Sequence, residues 1–152
     1  MTTYKMPNSA HSKLIVGDED DAVIMMGTGA DQYAKVGNGH SCEIHGGTGA
    51  HDTMVGGDGG VDFYVGKGAD ALIQGGKGND TISFDNSLGA NDTVEAGAGY
   101  NEIVFTQHLN HDVSIDRNPD HSIKAIHLTD LGRTIFCSGV QTVVFSDGNM
   151  TK

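Results

Sequence analysis

Tryptophan is absent from this chain, proline occurs twice and cysteine twice, and only 9 lysines and arginines face 20 aspartates and glutamates. Each shortage excludes something. Nucleic-acid binding needs clustered Lys and Arg against phosphate, and a net charge of -11 speaks against it. No apolar run approaches the roughly 20 residues of a membrane-spanning helix. Scarce proline, and glycine without a three-residue period, exclude a collagen-like chain. Cys42 and Cys137 stand too far apart for spacing to define a disulfide. The expectation is that both are unpaired and act as small apolar residues. Met1 to Pro7 holds no apolar signal core, so no cleaved secretory peptide is expected.

Glycine is what the chain has in quantity, with 23 residues, 20 of them between Gly17 and Gly99. Each interior glycine costs a helix about 1 kcal/mol, which argues against a helical bundle. The acid is concentrated in the same region. Residues 1–102 hold 15 acids and 5 bases, whereas 103–152 hold 5 and 4.

The glycines fall in a tandem repeat. Its cleanest copy is Gly75-Gly76-Lys77-Gly78-Asn79-Asp80-Thr81-Ile82-Ser83, which fits G-G-x-G-x-D-x-U-x, with U a large apolar residue. Met26–Ala34 and Val65–Ile73 lack only the first glycine. Gly46–Met54 and Gly56–Tyr64 carry one extra residue, His51 and Val61, before the aspartate. Degenerate copies begin at Gly17, Gly37, Gly89 and Gly97. The acidic positions run Asp21, Asp31, Ser41, Asp52, Asp62, Asp70, Asp80, Asp92 and Asn101.

One unit reads as a tight G-x-G turn followed by a short strand. Glycine supplies positive φ in the turn at least steric cost, and U points inward along the strand. Tyr33, Met54, Tyr64, Leu72, Ile82, Val94 and Ile103 are the expected inward residues, and Thr53, Thr81 and Thr93 form an outward row interrupted by Gln32, Phe63 and Ala71. Two units make one coil of a right-handed parallel solenoid. Turns on one side then carry Asp21, Ser41, Asp62, Asp80 and Asn101, and those on the other carry Asp31, Asp52, Asp70 and Asp92. A hard cation between successive turns would receive carboxylate and carbonyl oxygens from both. Calcium suits such a site because it accepts six to eight oxygens in flexible geometry, whereas magnesium demands a near-octahedral shell.

Residues 16–105 resemble the RTX, or hemolysin-type calcium-binding, nonapeptide-repeat family. The resemblance implies an all-β fold, a parallel β-roll that orders on binding calcium, and service in secreted toxins, proteases, lipases, adhesins or polysaccharide-modifying enzymes. Residues 103–152 read as strands, at Ile103–Thr106, Asp112–Asp116, Ile123–Leu128, Arg133–Cys137 and Val140–Phe145, and 106–152 as a β-rich cap. Turns are expected at Arg117–Asp120 and Asp130–Gly132. Residues 1–16 are the expected lead-in and 17–105 the roll. A full calcium ladder needs acids about two nine-residue units apart on each side, and only Asp52/Asp70 and Asp62/Asp80 keep 18 residues. A few ions are therefore expected, centred on those two pairs. Asp31, Asp92 and the turn glycines Gly57, Gly59, Gly66, Gly68, Gly76 and Gly78 complete the candidate ligand set. The competing reading has each aspartate simply capping local backbone N–H groups without metal.

Other chemistry is poorly represented. His40, His45, His51, His108, His111, His121 and His127 lack metal-ligand spacing and read as surface residues. Gly-x-Ser-x-Gly and His-Glu-x-x-His are absent, and the Gly-x-Gly pieces precede strands rather than a helix. The expectation is a non-enzymatic, calcium-stabilised structural or binding module acting in extracellular assembly or adhesion. Its partner would be another protein surface or an extracellular polysaccharide. Two other settings stand beside it: a bacteriophage virion component, such as a capsid decoration or tail protein, which suits a short chain beginning at Met1, and a polysaccharide-binding accessory module of a secreted carbohydrate-modifying enzyme.

Overall fold

The computed structural model describes residues 1–85, 89, 91–106, 113–129 and 131–146, together with the backbone of 150–151. The expectations for His108, His111, Asp112 and Asp130 fall outside the described residues. Short strands alternate with tight turns from the first residues onward. They are β1 Thr2–Lys5, β2 Lys13–Ile15, β3 Ala22–Met25, β4 Tyr33–Lys35, β5 Cys42–His45, β6 Thr53–Val55, β7 Val61–Tyr64 and β8 Leu72–Gly76. There follow β9 Thr81–Phe84, β10 Thr93–Gly97, β11 Glu102–Phe105, β12 Val113–Arg117, β13 Ile123–Leu128, β14 Arg133–Val140, β15 Thr142–Phe145 and β16 Met150–Thr151.

The odd strands β1 to β11 stack in parallel in one sheet, and the even strands β2 to β10 stack in parallel in the other. The chain is therefore a parallel β-solenoid of the roll type, all-β as the repeat predicts. Its boundaries differ from those expected. The lead-in is already a coil, because β1 pairs in parallel with β3 and β2 with β4. The coil also resumes beyond residue 105, with β14 parallel to β10 and β15 parallel to β11. Between them β12 and β13 join β14 in antiparallel fashion, and β16 runs antiparallel to β15. The cap is thus an antiparallel extension built onto a further coil.

Strand alternation decides which side chains fill the narrow interior. Ile24, Ile44, Phe63, Ile82, Ile103 and Val143 stack from one sheet, facing Ala34, Met54, Ile73 and Val94 from the other. Phe84, Phe105 and Phe145 stack at the rim of the first sheet, with ring centroids 5.8 and 5.4 Å apart. Tyr33, Tyr64 and Leu72, expected inside, are one residue out of phase and face outward. Conversely Gln32, Phe63 and Ala71, expected in an outward row, are buried.

The turn glycines are required for a different reason than the repeat suggests. Successive coils are stacked so closely that a Cβ on Gly47 would lie 1.8 Å from the Gly27 carbonyl oxygen, and one on Gly39 would lie 2.0 Å from that of Glu19. Gly66, Gly68, Gly57 and Gly76 meet the preceding turn in the same way, at 1.8, 1.6, 1.9 and 2.1 Å. Positive φ falls mostly on non-glycine residues, His11, Asp21, Asp31, Ser41, His51, Asp70 and Asn91, with values between 55° and 61°, and among the glycines of the coils on Gly60, Gly97, Gly99 and Gly139. Asp, Asn and His are the non-glycine residues that tolerate this region best.

Gly39→Ala is expected to lower unfolding free energy by about 1–3 kcal/mol through this overpacking. Gly17→Ala, which meets nothing within 4 Å, is expected to stay within about 0.5 kcal/mol of the parent. Urea denaturation of the two variants measures the difference.

Candidate functional site

Every coil leaves its turn through a residue whose side chain points inward, two places before the apolar core residue. These residues form two interior columns. Before the second sheet the column is Ser12, Gln32, Asp52, Ala71, Asp92 and Ile135. Before the first it is Ala22, Cys42, Val61, Asp80, Asn101 and Gln141. Before eight of these residues, from Ser12 to Asp92 in the second-sheet column and from Ala22 to Val61 in the first, the preceding turn residue has positive φ, whereas Asn79 and Tyr100, before Asp80 and Asn101, do not.

Three column members are aspartates with almost no exposure: Asp52 at 3%, Asp80 at 1% and Asp92 at 1%. Each uses one carboxylate oxygen alike. Oδ1 accepts the backbone N–H one coil earlier in the column: from Gln32 to Asp52 at 3.0 Å, from Val61 to Asp80 at 2.8 Å and from Ala71 to Asp92 at 2.9 Å. This is the capping role of the metal-free reading. The second oxygen is the exception, for Oδ2 of all three is buried without a hydrogen-bond partner. A buried acceptor left unmatched costs on the order of 1–3 kcal/mol, and more when charged.

The remaining predicted ligands are distributed otherwise. Asp31 and Asp70 occupy exposed turn positions of positive φ, level with His11 and His51. Their Oδ2 atoms lie 3.8 Å from His11 Nδ1 and 3.9 Å from His51 Nδ1. Asp62 is exposed on β7, in register with Glu43 and Thr81 rather than with Asp80. The 18-residue pairs Asp52/Asp70 and Asp62/Asp80 therefore do not stack. The coils are longer than two nonapeptides, at 19 to 21 residues across the hydrogen bonds just given. Neither column puts two carboxylates on adjacent coils.

The glycines lie closer to expectation. Gly66 and Gly68, with Gly46, Gly47 and Gly49, line a cavity of about 10 Å³ against Asp52, Met54 and Ala71, about the least that a single water occupies. A Cβ on Gly75 would stand 2.1 Å from the Ala96 carbonyl oxygen and 2.2 Å from Asp80 Oδ2, so a bare glycine is needed there. Gly76 and Gly78 belong to the turn leading into Asp80, and Gly57 and Gly59 to the turn one coil before. Asp92 follows a turn that is only partly described, so Asp52 and Asp80 are the better defined sites. Among the described residues no three His, Cys, Asp or Glu side chains group as metal ligands. A cation here would rely on one carboxylate and on backbone carbonyls.

Two of the three amides in the columns, the fully buried ones, were not recognised as site residues from the repeat alone. Gln32 and Asn101 are fully buried and hydrogen-bonded at both ends of the amide. Counting back two residues from the buried Ala34 and Ile103 finds them, as it finds Asp52 from Met54 and Asp80 from Ile82. Neither cysteine is paired, and burial pushes the Cys137 thiol up to about 12.

Burial pushes the carboxyls of Asp80 and Asp92 up to about 6, against the lowering effect of the N–H bonds from Val61 and Ala71. Burial also raises Asp52. A carboxyl whose value is higher in the folded than in the unfolded chain favours the fold when protonated. That contribution is complete below about 3.8 and is lost as pH rises through about 6. In calcium-free buffer the melting temperature is accordingly expected to fall between about pH 4 and 6, and to fall less in Asp92→Asn. Scanning calorimetry from pH 4 to 8 tests this, and a melting temperature rising across that window would contradict it.

No known protein family, curated protein or solved structure matches the chain.

Proposed function

We propose that this chain is a non-enzymatic structural and binding module, an RTX-like β-solenoid stabilised by calcium held against its interior carboxylates, that serves extracellular assembly or adhesion. One observation carries the reading: Oδ2 of Asp52 and of Asp80 is buried and without a hydrogen-bond donor, beside turns made of bare glycine. An ionised oxygen in that position is costly unless a positive charge meets it. Calcium supplies the charge and accepts the many oxygens that stacked turns can offer. The G-G-x-G-x-D units and their likeness to the RTX repeat favour the same ion.

Asp52 would hold the ion with the carbonyls of the glycines lining its cavity, and Asp80 with those of its own turn and the turn one coil before. A single carboxylate at each site gives weak affinity, with a Kd on the order of 10⁻⁴–10⁻³ M, the range of extracellular calcium modules. Such a site fills where calcium is plentiful. The interior aspartates are occupied in holding coils together, so the reading assigns them no reaction. Binding falls to the outer faces, where Glu43, Asp62 and Glu102 lie in one row of the first sheet, with Thr81 between the last two.

Calcium titrated into chelator-treated protein is expected to raise the melting temperature progressively across the millimolar range, and magnesium to raise it much less. An unchanged melting temperature up to saturating calcium would remove the ion from the account.

A further inference from the structure

Asn101 and Asp80 are stacked on adjacent coils and have the same heavy-atom skeleton. Both are buried, and both accept the backbone N–H of the preceding coil at 2.8 Å, Asp80 from Val61 and Asn101 from Asp80. They differ at the other end of the side chain. Asn101 Nδ2 donates to the carbonyls of Ala98 at 3.0 Å and Ala96 at 3.4 Å in its own turn. It donates also to Gly139 in the next coil, at 2.9 Å. One amide nitrogen thus ties three carbonyl oxygens of two successive turns together. Asp80 puts an oxygen in that place, and the oxygen has no partner.

The register Gly76↔Gly97 sets Gly75 and Lys77 where Ala96 and Ala98 stand in the Asn101 turn. A methyl on Gly75 would collide with the Ala96 carbonyl oxygen at 2.1 Å and with Asp80 Oδ2 at 2.2 Å, whereas the turn closed by the amide carries the methyl of Ala96.

The other column repeats the contrast. Gln32 accepts the Gly27 N–H through Oε1 at 2.8 Å, and its Nε2 donates to the carbonyls of Pro7 at 2.7 Å and Ser9 at 3.0 Å in the preceding coil. On the next coil Asp52 accepts the Gln32 N–H and leaves its second oxygen bare beside the glycine-lined cavity. Positive hydrogens therefore hold turn carbonyls together at Gln32 and Asn101, and are missing at Asp52 and Asp80.

We propose that the side-chain amides of Gln32 and Asn101 are built-in substitutes for the cation, closing their turns by donating to the carbonyls that the Asp52 and Asp80 turns leave for calcium. The inference rests on the calcium reading for the aspartate turns, and it adds which turns take the ion and which are closed to it. Occupancy is set residue by residue: an amide makes a turn independent of calcium, and a carboxylate makes it dependent. Turns of both kinds occur side by side, with Gln32 one coil before Asp52 and Asn101 one coil after Asp80, so the solenoid keeps part of its order when calcium is withdrawn.

The exchange of one atom at each of two neighbouring positions tests this. Melting temperature and bound calcium per chain, by equilibrium dialysis, are measured for the parent, Asp80→Asn and Asn101→Asp, in chelator and in saturating calcium. Asp80→Asn is expected to melt several degrees above the parent in chelator, to gain less from calcium and to bind one ion fewer. Asn101→Asp is expected to melt below the parent in chelator and to be restored by calcium. If Asn101→Asp does not fold in chelator, Gln32→Glu provides the same measurement in the other column.

A parent that responds to calcium, with both exchanges leaving that response unchanged, overturns the amide assignment and leaves the calcium reading standing. A parent indifferent to calcium, with Asp80→Asn still gaining stability and Asn101→Asp still losing it, keeps the amide role and overturns the calcium reading. Loss of stability in Asp80→Asn under both conditions overturns the amide assignment.

Discussion

The constraint on which this molecule depends is the distance between one coil and the next. Parallel pairing holds adjacent strands about 4.8 Å apart, and the turns that join the sheets must stack at the same spacing. At that spacing a turn has no room for a Cβ facing its neighbour. Gly47 against Gly27, Gly66 against Gly47 and Gly76 against Gly57 each leave about 2 Å to the neighbouring carbonyl. Glycine is therefore selected here by packing between coils, and only secondarily by backbone dihedral preference. The left-handed conformation at the last turn position is carried mainly by Asp, His, Ser and Asn, with Gly60 in the same role before Val61.

Stacked turns bring stacked carbonyls, and these need donors. Where regular strands run, backbone N–H groups supply them. At the turns some backbone N–H groups do so too, such as Lys67 to Gly47 and Ala98 to Gly76, and the interior columns add both acceptors and donors. Oδ1 of each column aspartate caps an N–H one coil away, and the amides of Gln32 and Asn101 reach the carbonyls. The columns are thus a second hydrogen-bond ladder, running inside the turns and parallel to the sheets. Asp52, Asp80 and Asp92 are the rungs where that ladder lacks a positive partner.

The architecture was legible because glycine spacing and apolar recurrence report the coil directly. The tail strands Ile123–Leu128 and Arg133–Val140 were visible from their β-branched and aromatic content, the second longer than expected by three residues. The interior columns were read less well, for a reason of parity. Matching the motif by its aspartate puts Asp31, Asp70 and Asp62 in line with Asp52 and Asp80. Side chains alternate along an extended chain, so only a residue an even number of places from a buried neighbour enters the core. Asp31 and Asp70 lie three places before Ala34 and Ile73, and Asp62 lies one place before Phe63. The units with an apparent extra residue follow the same rule: Gly46–Met54 puts Asp52 inside, while Gly56–Tyr64 puts Val61 there and turns Asp62 outward. Coil length added to the error, since a 20-residue coil drifts out of phase with an 18-residue ladder.

A solenoid is also, in miniature, a filament, because every coil is a template for another. The antiparallel strands β12, β13 and β16 break that template at one end of each sheet. At the opposite end β1 and β2 are the outermost strands, and their pairing groups face away from the stack. Lys5 closes β1 and Lys13 opens β2, the residue type that natural sheets place on edges to discourage further addition. Each of the two end strands thus carries a charge beside backbone groups that are free to pair, at the end of the stack where the geometry itself sets no limit.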